Sequence, residues 1–204
     1  MIVVGIDTDA KGSVAILDCR NASNPVLDVY GIPNRQKVLT SGKKRLGVNF
    51  PALAAIMAEL TSRVYVTRFY LEEQWSRPQQ GSGAAFTFGQ TFGDIRTSVA
   101  AALIGDFPPH EVDTMIKFIP ALDWKSAMRL SKDKDLSLAL ADKLFPECKK
   151  AWAKKSLYTS AAEAALLAFY GASLEGFKLP AGAVVSAPKI PMLEVASSLV
   201  INGG

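Results

Sequence analysis

Three acidic residues, far apart in the chain, have the type and the setting to do chemistry together. Asp7 follows an apolar strand-like run, Glu72 closes a second such run, and Glu163 interrupts a helical run of Ala, Leu and Phe. If the fold brings these carboxylates together, they form a hard, oxygen-lined pocket of the kind that Mg²⁺ and Mn²⁺ prefer. A pair of divalent ions held in such a pocket is able to cleave a phosphodiester.

Each of the three carboxylates also has an ordinary structural interpretation. Asp7 could cap the turn that follows it. Glu72 and Glu73 are consecutive and point to opposite faces of a strand, so only one of them can join Asp7 and both could be surface charges. Glu163 could pair with Lys125 or a nearby arginine, because a carboxylate on an apolar helix is rarely buried without a partner. Convergence in the fold is what separates a metal site from these alternatives.

The elements that must position these residues follow from the spacing of the apolar residues. Three strand-like runs joined by turns open the chain as a β-meander, at residues 1–7, 13–18 and 26–31. Helices and strands then alternate, which predicts an α/β sheet with one antiparallel pairing. The later predicted elements are a helix at 50–60 capped by Asn49, a strand ending at Glu72, a helix at 84–104, a strand at 115–119, a short helix from Trp124, a helix that is capped by Ser131 and runs to about 145, and the helix of Glu163.

Two basic segments favour a polyanionic partner. Residues 33–48, which we expect to form a loop, contain no acidic residue and carry Arg35, Lys37, Lys43, Lys44 and Arg45. Residues 149–155 carry four lysines around Trp152. Neutralisation of phosphates supplies most of the affinity of proteins for nucleic acids, so both segments suit DNA. Either segment alone could equally be a solvated loop that keeps the protein soluble.

The predicted helix at 84–104 carries Gly89 and Gly93 one turn apart. Each glycine costs about 1 kcal/mol relative to alanine inside a helix, so the pair suggests a face that something approaches closely. A tight contact with the sheet and a DNA-facing role explain the pair equally well.

Composition bounds the remaining possibilities. The 204 residues, 49% hydrophobic and 21% charged, predict one globular domain, for which we expect the bounds 1–173, followed by an extended tail at 174–204. No apolar run approaches the ~20 residues that span a bilayer, so no membrane partner is expected. Two distant cysteines and a single His110, in a loop-like context, leave any metal chemistry to carboxylates. The absence of a signal-like N-terminal run predicts a cytoplasmic, nucleoid-associated protein of a bacterium or a phage-infected host, or an organellar protein in trimmed form.

Several of these segments together resemble a known family. They are the glycine-containing turn after Asp7, the Leu71-Glu72 pair followed by Arg77-Pro-Gln-Gln80-Gly, the Phe-x-Phe-Gly block at 86–93, the Trp124-Lys125 pair, the Ser-Lys-Asp-Lys segment at 131–134, and the helix of Glu163. In this order, over residues 3–171, they resemble the Holliday-junction resolvases of the RuvC type, above all the branch found in chloroplasts and bacteriophages.

The resemblance implies an RNase H-like fold, a five-stranded mixed sheet flanked by helices. It implies a homodimer that nicks two opposed strands of a four-way DNA junction with two Mg²⁺ or Mn²⁺ ions per active site. By position, Asp7, Glu72 and Glu163 become metal ligands, and Lys125 contacts phosphate or orients the water. The residues expected to contact DNA are Arg35, Lys37, Lys43, Lys44, Arg45, Arg77, Gln80, Lys154 and Lys155.

The chain departs from the family pattern at Thr159 and Ser160. Family members often carry a histidine or aspartate at one of these positions, and neutral hydroxyls add no charge to the site. A junction-binding protein of the same fold with weak or no turnover is therefore an alternative. A nucleotide-binding phosphotransferase of the actin or sugar-kinase class also opens with an Asp-turn-Gly hairpin, but that class needs two such lobes, and 204 residues provide room for one.

Overall fold

A computed structural model describes residues 1–38, 42–62, 67–75, 81–131, 133–153 and 158–178. Four of the residues expected to contact DNA lie outside the described residues: Arg77, Gln80, Lys154 and Lys155. Of the expected tail, residues 174–178 are described and residues 179–204 are not. Within the described part of the chain, no helix is long and apolar enough to cross a membrane.

The centre of the fold is a mixed five-stranded sheet with the strand order β3-β2-β1-β6-β7. Its strands are β1 (Ile2–Ile6), β2 (Ser13–Asp18), β3 (Val26–Gly31), β6 (Thr67–Glu73) and β7 (Ile116–Pro120). The first three strands form the predicted meander, whereas β6 runs parallel to both β1 and β7. The α/β class and the five-stranded sheet are thus confirmed. The expected single antiparallel pairing was wrong, because a three-stranded meander contains two.

Seven helices surround this sheet in the described residues. They are α1 (Phe50–Ser62), α2 (Ser82–Ile104), α3 (Pro109–Met115), α4 (Ala121–Ala127), α5 (Lys134–Leu144), α6 (Lys149–Trp152) and α7 (Tyr158–Leu174). Alternating residues of the buried strands point to opposite faces, which creates two hydrophobic cores. Ile2, Val4 and Ile6 pack with α1 and α2 on one face, while Val3 packs with α5 and α7 on the other.

Helix α7 lies unusually close to the sheet, and two glycines allow this approach. A Cβ atom at Gly5 of β1 would overlap the backbone of α7 at Ala164 and Ala168. A Cβ atom at Gly171 of α7 would overlap the ring of Tyr70 on β6. The absence of a side chain at both positions therefore fixes where α7 sits on β1 and β6.

The segment 33–48, expected to be a loop, instead contains a hairpin. Its strands β4 (Asn34–Val38) and β5 (Lys44–Val48) pair antiparallel as a separate two-stranded sheet. The expectation failed because the segment lacks the apolar alternation by which a half-buried strand is recognised. An isolated two-stranded hairpin is marginally stable in water, so contacts with the rest of the protein must hold it.

Two local expectations also require correction. His110 lies on α3, an exposed helix that begins with Pro109, and not in a loop. Helix α5 is capped by Asp133, whose carboxylate accepts a hydrogen bond from the Asp135 backbone, and not by Ser131. The hydroxyl of Ser131 accepts a bond from the backbone of Asp133 and so supports the turn that precedes the helix.

The two cysteines are buried thiols in the core beneath α7. Burial raises the pKa of Cys19 to about 11 and that of Cys148 to about 12, so neither thiol is a reactive nucleophile at neutral pH.

Candidate active site

Asp7 and Glu72 lie side by side where two parallel strands end. Ile6 of β1 is in register with Leu71 of β6, so the next residue of each strand is the acidic one. The Thr8 hydroxyl donates a 2.6 Å hydrogen bond to the backbone carbonyl of Glu72 and ties the turn after β1 to β6. Carboxyl ends of parallel strands are where α/β sheets place ligand sites, and two carboxylates meet at this edge.

Glu163 faces this pair from α7. Gly5 precedes Asp7 by two residues, Tyr70 precedes Glu72 by two, and both contact the α7 side of the sheet. Because side chains alternate along a strand, Asp7 and Glu72 point to that side as well. Glu163 is buried on α7, next to the turn of the helix that contacts Gly5. The close approach of α7 is therefore what brings the third carboxylate to the other two.

The pKa values of these groups show that their charges interact. Burial raises the pKa of Asp7 well above its ordinary value, and the charges of Glu72, Glu163 and Asp9 raise it further. The pKa of Glu72 is raised by burial and by Glu163, against the opposing effect of Lys125. The three carboxylates are therefore close enough for their charges to interact, and that they share a metal ion stays a prediction.

Helix α4 supplies two donors to the carboxylates. The Lys125 ammonium donates a 2.7 Å hydrogen bond to Glu163 Oε1. Ser137, on α5, donates to the same oxygen at 3.3 Å. The Trp124 indole N–H donates to Glu72 Oε2 at 3.3 Å. Both interpretations of Glu163 therefore apply. It forms an ion pair with Lys125, and it belongs to the acidic group, by which we mean Asp7, Glu72 and Glu163.

Lys134 is a neighbour of the acidic group that the sequence analysis did not place in the site. Its positive charge lowers the pKa of both Asp7 and Glu72, although other causes outweigh it. Lys134 is the first residue of α5, where the helix dipole disfavours a cation. A lysine at that helix position was the signal that could have identified it.

Ser160 and Thr159, the two positions that depart from the family pattern, are placed differently from the carboxylates. The Ser160 hydroxyl lies 2.8 Å from the Ser13 hydroxyl and donates a 3.1 Å hydrogen bond to the backbone carbonyl of Lys11. Ser160 therefore joins α7 to the turn before β2. Thr159 is partly buried on the same helix turn.

Divalent cations suit the acidic group by its chemistry. A cation would stabilise the ionised forms of Asp7 and Glu72, whose pKa values are raised by burial and by neighbouring carboxylates, and carboxylate oxygen is the preferred ligand of Mg²⁺ and Mn²⁺. In the described residues, however, no three His, Cys, Asp or Glu side chains are close enough to form a ready-made metal cluster. A shared cation would compete with the Lys125 ammonium for Glu163.

The basic residues of the hairpin are divided between internal contacts and solvent. Lys37 pairs with Asp94 of α2 at 3.7 Å, Arg45 donates to the Gly83 carbonyl at 3.5 Å, and the Arg35 guanidinium lies 5.8 Å from the centre of the Phe50 ring. These three contacts hold the hairpin on α1 and α2. Lys43 and Lys44, at the start of β5, are exposed, and we call these two lysines the tip of the hairpin.

The aromatic residues also differ from the expectation. Trp152, in the second basic segment, is buried and donates to Asp142 at 2.8 Å, so it offers no exposed ring for a base to stack on. Trp75, three residues after Glu72, is 69% exposed, and Phe86 of α2 is 73% exposed. Exposed aromatic rings near a basic surface are able to stack on unpaired bases.

The glycines of α2 point away from the sheet. A Cβ atom at Gly89 or Gly93 would meet nothing within 4 Å. The tight helix–sheet contact considered for this pair is therefore absent, and the face they lie on is open to an approaching partner.

Comparisons with known proteins identify the fold. No family model and no curated protein matches the sequence. Among solved structures, the RuvC structure from Thermus thermophilus aligns with 88% of this chain and 99% of its own, with a TM-score of 0.52 and 13% sequence identity. T. thermophilus RuvC in complex with Holliday junction substrate aligns with 87% of this chain and 98% of its own, with a TM-score of 0.51 and 16% identity. The chain therefore has a RuvC-like, RNase H-like fold, built on a mixed five-stranded sheet with flanking helices.

Proposed function

We propose that this protein is a metal-dependent endonuclease that resolves four-way DNA junctions by paired nicking. The observation that supports the proposal is the position of Asp7 and Glu72 at the adjacent ends of β1 and β6, where both interact electrostatically with Glu163. A structure with the same fold has been solved with a Holliday junction, which supports branched DNA as the substrate class.

Asp7 and Glu72 would hold one Mg²⁺ or Mn²⁺ ion, and a second ion would involve Asp7 and Glu163. Bound divalent ions supply a more acidic water and stabilise the charge that develops on the leaving oxygen. The Trp124 N–H holds one oxygen of Glu72 and thereby fixes which oxygen remains for other partners.

Lys125 would act on the substrate in this proposal. When Glu163 turns to other partners, the Lys125 ammonium becomes available to a non-bridging oxygen of the phosphate that is cut. In the reaction, water adds to phosphorus and the bond from phosphorus to the 3′ oxygen breaks. The products carry a 5′ phosphate and a 3′ hydroxyl, and a ligase can rejoin them.

A homodimer matches the substrate. Two copies related by a two-fold axis would present two acidic groups to the two opposed strands of a junction, which has approximate two-fold symmetry. The exposed tip of the β4–β5 hairpin would contact the arms.

A cleavage assay tests the proposal. Synthetic four-way junction, fork and linear duplex are incubated with the protein in Mg²⁺, in Mn²⁺ and with a chelator. We expect two symmetric nicks in the junction only, dependent on metal. Asp7→Asn is expected to bind the junction with unchanged affinity and to lose at least about 10³-fold in nicking rate, because the carboxylate common to both ions is gone. Normal nicking by Asp7→Asn would show that the acidic group is not the active site.

A junction-binding protein without turnover is the second candidate, favoured by the 2.7 Å bond between Lys125 and Glu163 and by the neutral Ser160. This candidate predicts salt-sensitive junction binding and no product in either metal. The Thr159→His and Ser160→Asp variants distinguish the two candidates. A gain of cleavage in either variant identifies an impaired nuclease, whereas binding without cleavage in all variants supports the second candidate.

A further inference from the structure

The β4–β5 hairpin has two faces of different character. Arg35, Lys37 and Arg45 lie on the inner face, where they contact α1 and α2. Gly47, opposite Arg35, leaves space that the Lys37 side chain crosses on its way to Asp94. These contacts hold the ribbon on the protein, so its basic inner residues have structural roles.

The outer face presents a different set of side chains to solvent. The cross-strand pairs Gln36–Leu46 and Val38–Lys44 point outward, with Asn34 at the base of the ribbon. These five residues are exposed, and Val38 reaches 69%, whereas Val48, opposite Asn34 on the same face, is buried in the core. Amide, ammonium and small apolar groups are the groups that contact base edges and the thymine methyl in the major groove.

The hairpin is rooted at the same edge of the sheet as the acidic group. The Ile32 N–H donates to the carbonyl of Gly12, in the turn that follows Asp7, at 3.0 Å. The Asn49 N–H donates to the Pro33 carbonyl at 2.8 Å and closes the base of the hairpin. A DNA strand bound at the acidic group would therefore lie close to the first residues of the hairpin.

We propose that the β4–β5 hairpin enters the major groove of one junction arm, with Lys43 and Lys44 on the phosphates and Gln36 facing the base edges. The inference rests on the proposed function and adds a second, base-reading contact to it. A major groove about 12 Å wide admits a two-stranded ribbon. Strands of five residues extend about 17 Å, which is the length of about five base pairs.

Charge decides between DNA and a second copy of the chain as the occupant. The segment 34–48 carries five basic residues and no acidic residue. Two such ribbons facing each other across a dimer axis would repel, whereas a polyphosphate attracts the exposed Lys43 and Lys44.

The first experiment tests the tip of the ribbon. The full-length protein is bound to a synthetic four-way junction in chelator, and the double variant Lys43→Ala/Lys44→Ala is compared with Lys117→Ala/Lys143→Ala, which removes two exposed lysines elsewhere. We expect the first variant to bind about tenfold more weakly, to lower the slope of log Kd against log salt by about 1.8, and to lose hydroxyl-radical protection over about five base pairs of one arm. The control variant is expected to keep that protection.

The second experiment tests the reading of bases. Junctions with randomised arm sequence are selected for binding, and Gln36→Ala is expected to remove the preference at one arm position that the wild type shows. Arm protection unchanged in the tip variant, an equal loss in the control variant, or no base preference in the wild type would each overturn the inference. A change of oligomeric mass in the tip variant with an unchanged footprint would identify a second copy as the occupant and also overturn it. Failure of the wild type to prefer a junction over linear duplex would instead contradict the proposed function, so the two failures are distinguishable.

Discussion

Helix α7 packs on the sheet with one acidic residue near each of its ends, Glu163 at the near end and Glu175 at the far end. These two carboxylates have different partners. At the far end, Glu175 accepts a 2.7 Å hydrogen bond from the Tyr70 hydroxyl and lies 3.8 Å from the Arg68 guanidinium. One carboxylate thus has a cation and a hydroxyl as partners. At the near end, around Glu163, three carboxylates gather, and Lys125 forms an ion pair with only one of them.

The difference separates a structural contact from a functional one. Glu175, which has both a cation and a hydroxyl as partners, holds the end of α7 on the sheet and has little remaining capacity to bind a ligand. An excess of buried negative charge lowers the stability of the fold and raises the affinity for cations. Perturbed carboxylates gathered in one place are typical of functional sites, where stability is given up for activity.

The largest expected effect comes from the glycine under the near end. Gly5→Ala would place a methyl group against the backbone of Ala164 and Ala168, and because backbone atoms cannot move aside cheaply, we expect a loss of about 3 kcal/mol in the free energy of unfolding. Glu163 would move away from Asp7, so the nicking rate per folded molecule should also fall. Urea unfolding and single-turnover cleavage measure the two effects.

Gly171→Ala is the matched control at the far end. Its methyl group would meet the Tyr70 ring, which lies away from the acidic group, so stability should fall while cleavage per folded molecule is retained. Equal losses of cleavage in the two variants would show that the position of α7 at the near end has no special importance for activity.

Removal of Lys125 is expected to have the next largest effect. Lys125→Met leaves the buried carboxylate of Glu163 without its ion pair, which should cost about 2 kcal/mol of stability. The same change removes the competitor for a cation, so Mn²⁺ affinity measured by calorimetry should rise while cleavage falls. Lys117→Met, at an exposed position of β7, is the control. An unchanged Mn²⁺ affinity in Lys125→Met would mean that Lys125 does not compete with metal.

Asp7→Asn is expected to stabilise the metal-free protein. The pKa of Asp7 is raised by burial and then by Glu72 and Glu163, so the folded state holds the proton more tightly than the unfolded state. The contribution of Asp7 to stability is therefore complete below the unfolded pKa of about 3.9 and is lost as pH rises through the raised pKa of the folded protein. At pH 7 the metal-free variant should therefore be more stable than the metal-free wild type.

Thermal unfolding in chelator across pH 4 to 8 measures this gain. The wild type should lose stability over the interval in which Asp7 ionises, and Asp7→Asn should lack that loss. Addition of Mg²⁺ should raise the melting temperature of the wild type more than that of the variant, because ligand binding to the folded state adds stability. A variant less stable than the wild type at pH 7 would indicate that the ionised Asp7 has a stabilising partner.

The sequence predicted those parts of the fold that depend on apolar patterning. The meander, the later strands and the helices carry regular apolar spacing, and the structure contains them. The β4–β5 hairpin escaped prediction because it is held through Lys37 and Arg45, whose contacts on α2 have no local signature. Apolar patterning identifies residues that face a core, and of the ten strand residues of this hairpin only Val48 belongs to one.

The sequence indicated which carboxylates lie near one another, but it did not indicate all of the cations beside them. Asp7 and Glu72 were recognisable because each follows an apolar strand. Lys134 was not placed in the site, because its closeness to the acidic group depends on how α5 packs against α7. That Glu163 both pairs with Lys125 and belongs to the acidic group is a property of tertiary geometry alone.

The smallest effect is expected from Tyr70→Phe at the far end, because this change removes only the hydrogen bond to Glu175. Tyr70→Phe removes the hydroxyl that donates to Glu175 but leaves Arg68 beside that carboxylate, so we expect a loss of about 1 kcal/mol and unchanged cleavage. Burial, and then the bond to Glu175, raises the pKa of Tyr70, so its contribution is present below the unfolded pKa of about 10 and is lost at more alkaline pH. Chemical denaturation between pH 7 and 11 should therefore show an alkaline decline in the wild type that is weaker in the variant. A fall in cleavage by Tyr70→Phe would mean that the two ends of α7 are coupled, and that the far end is more than a fastening for the helix.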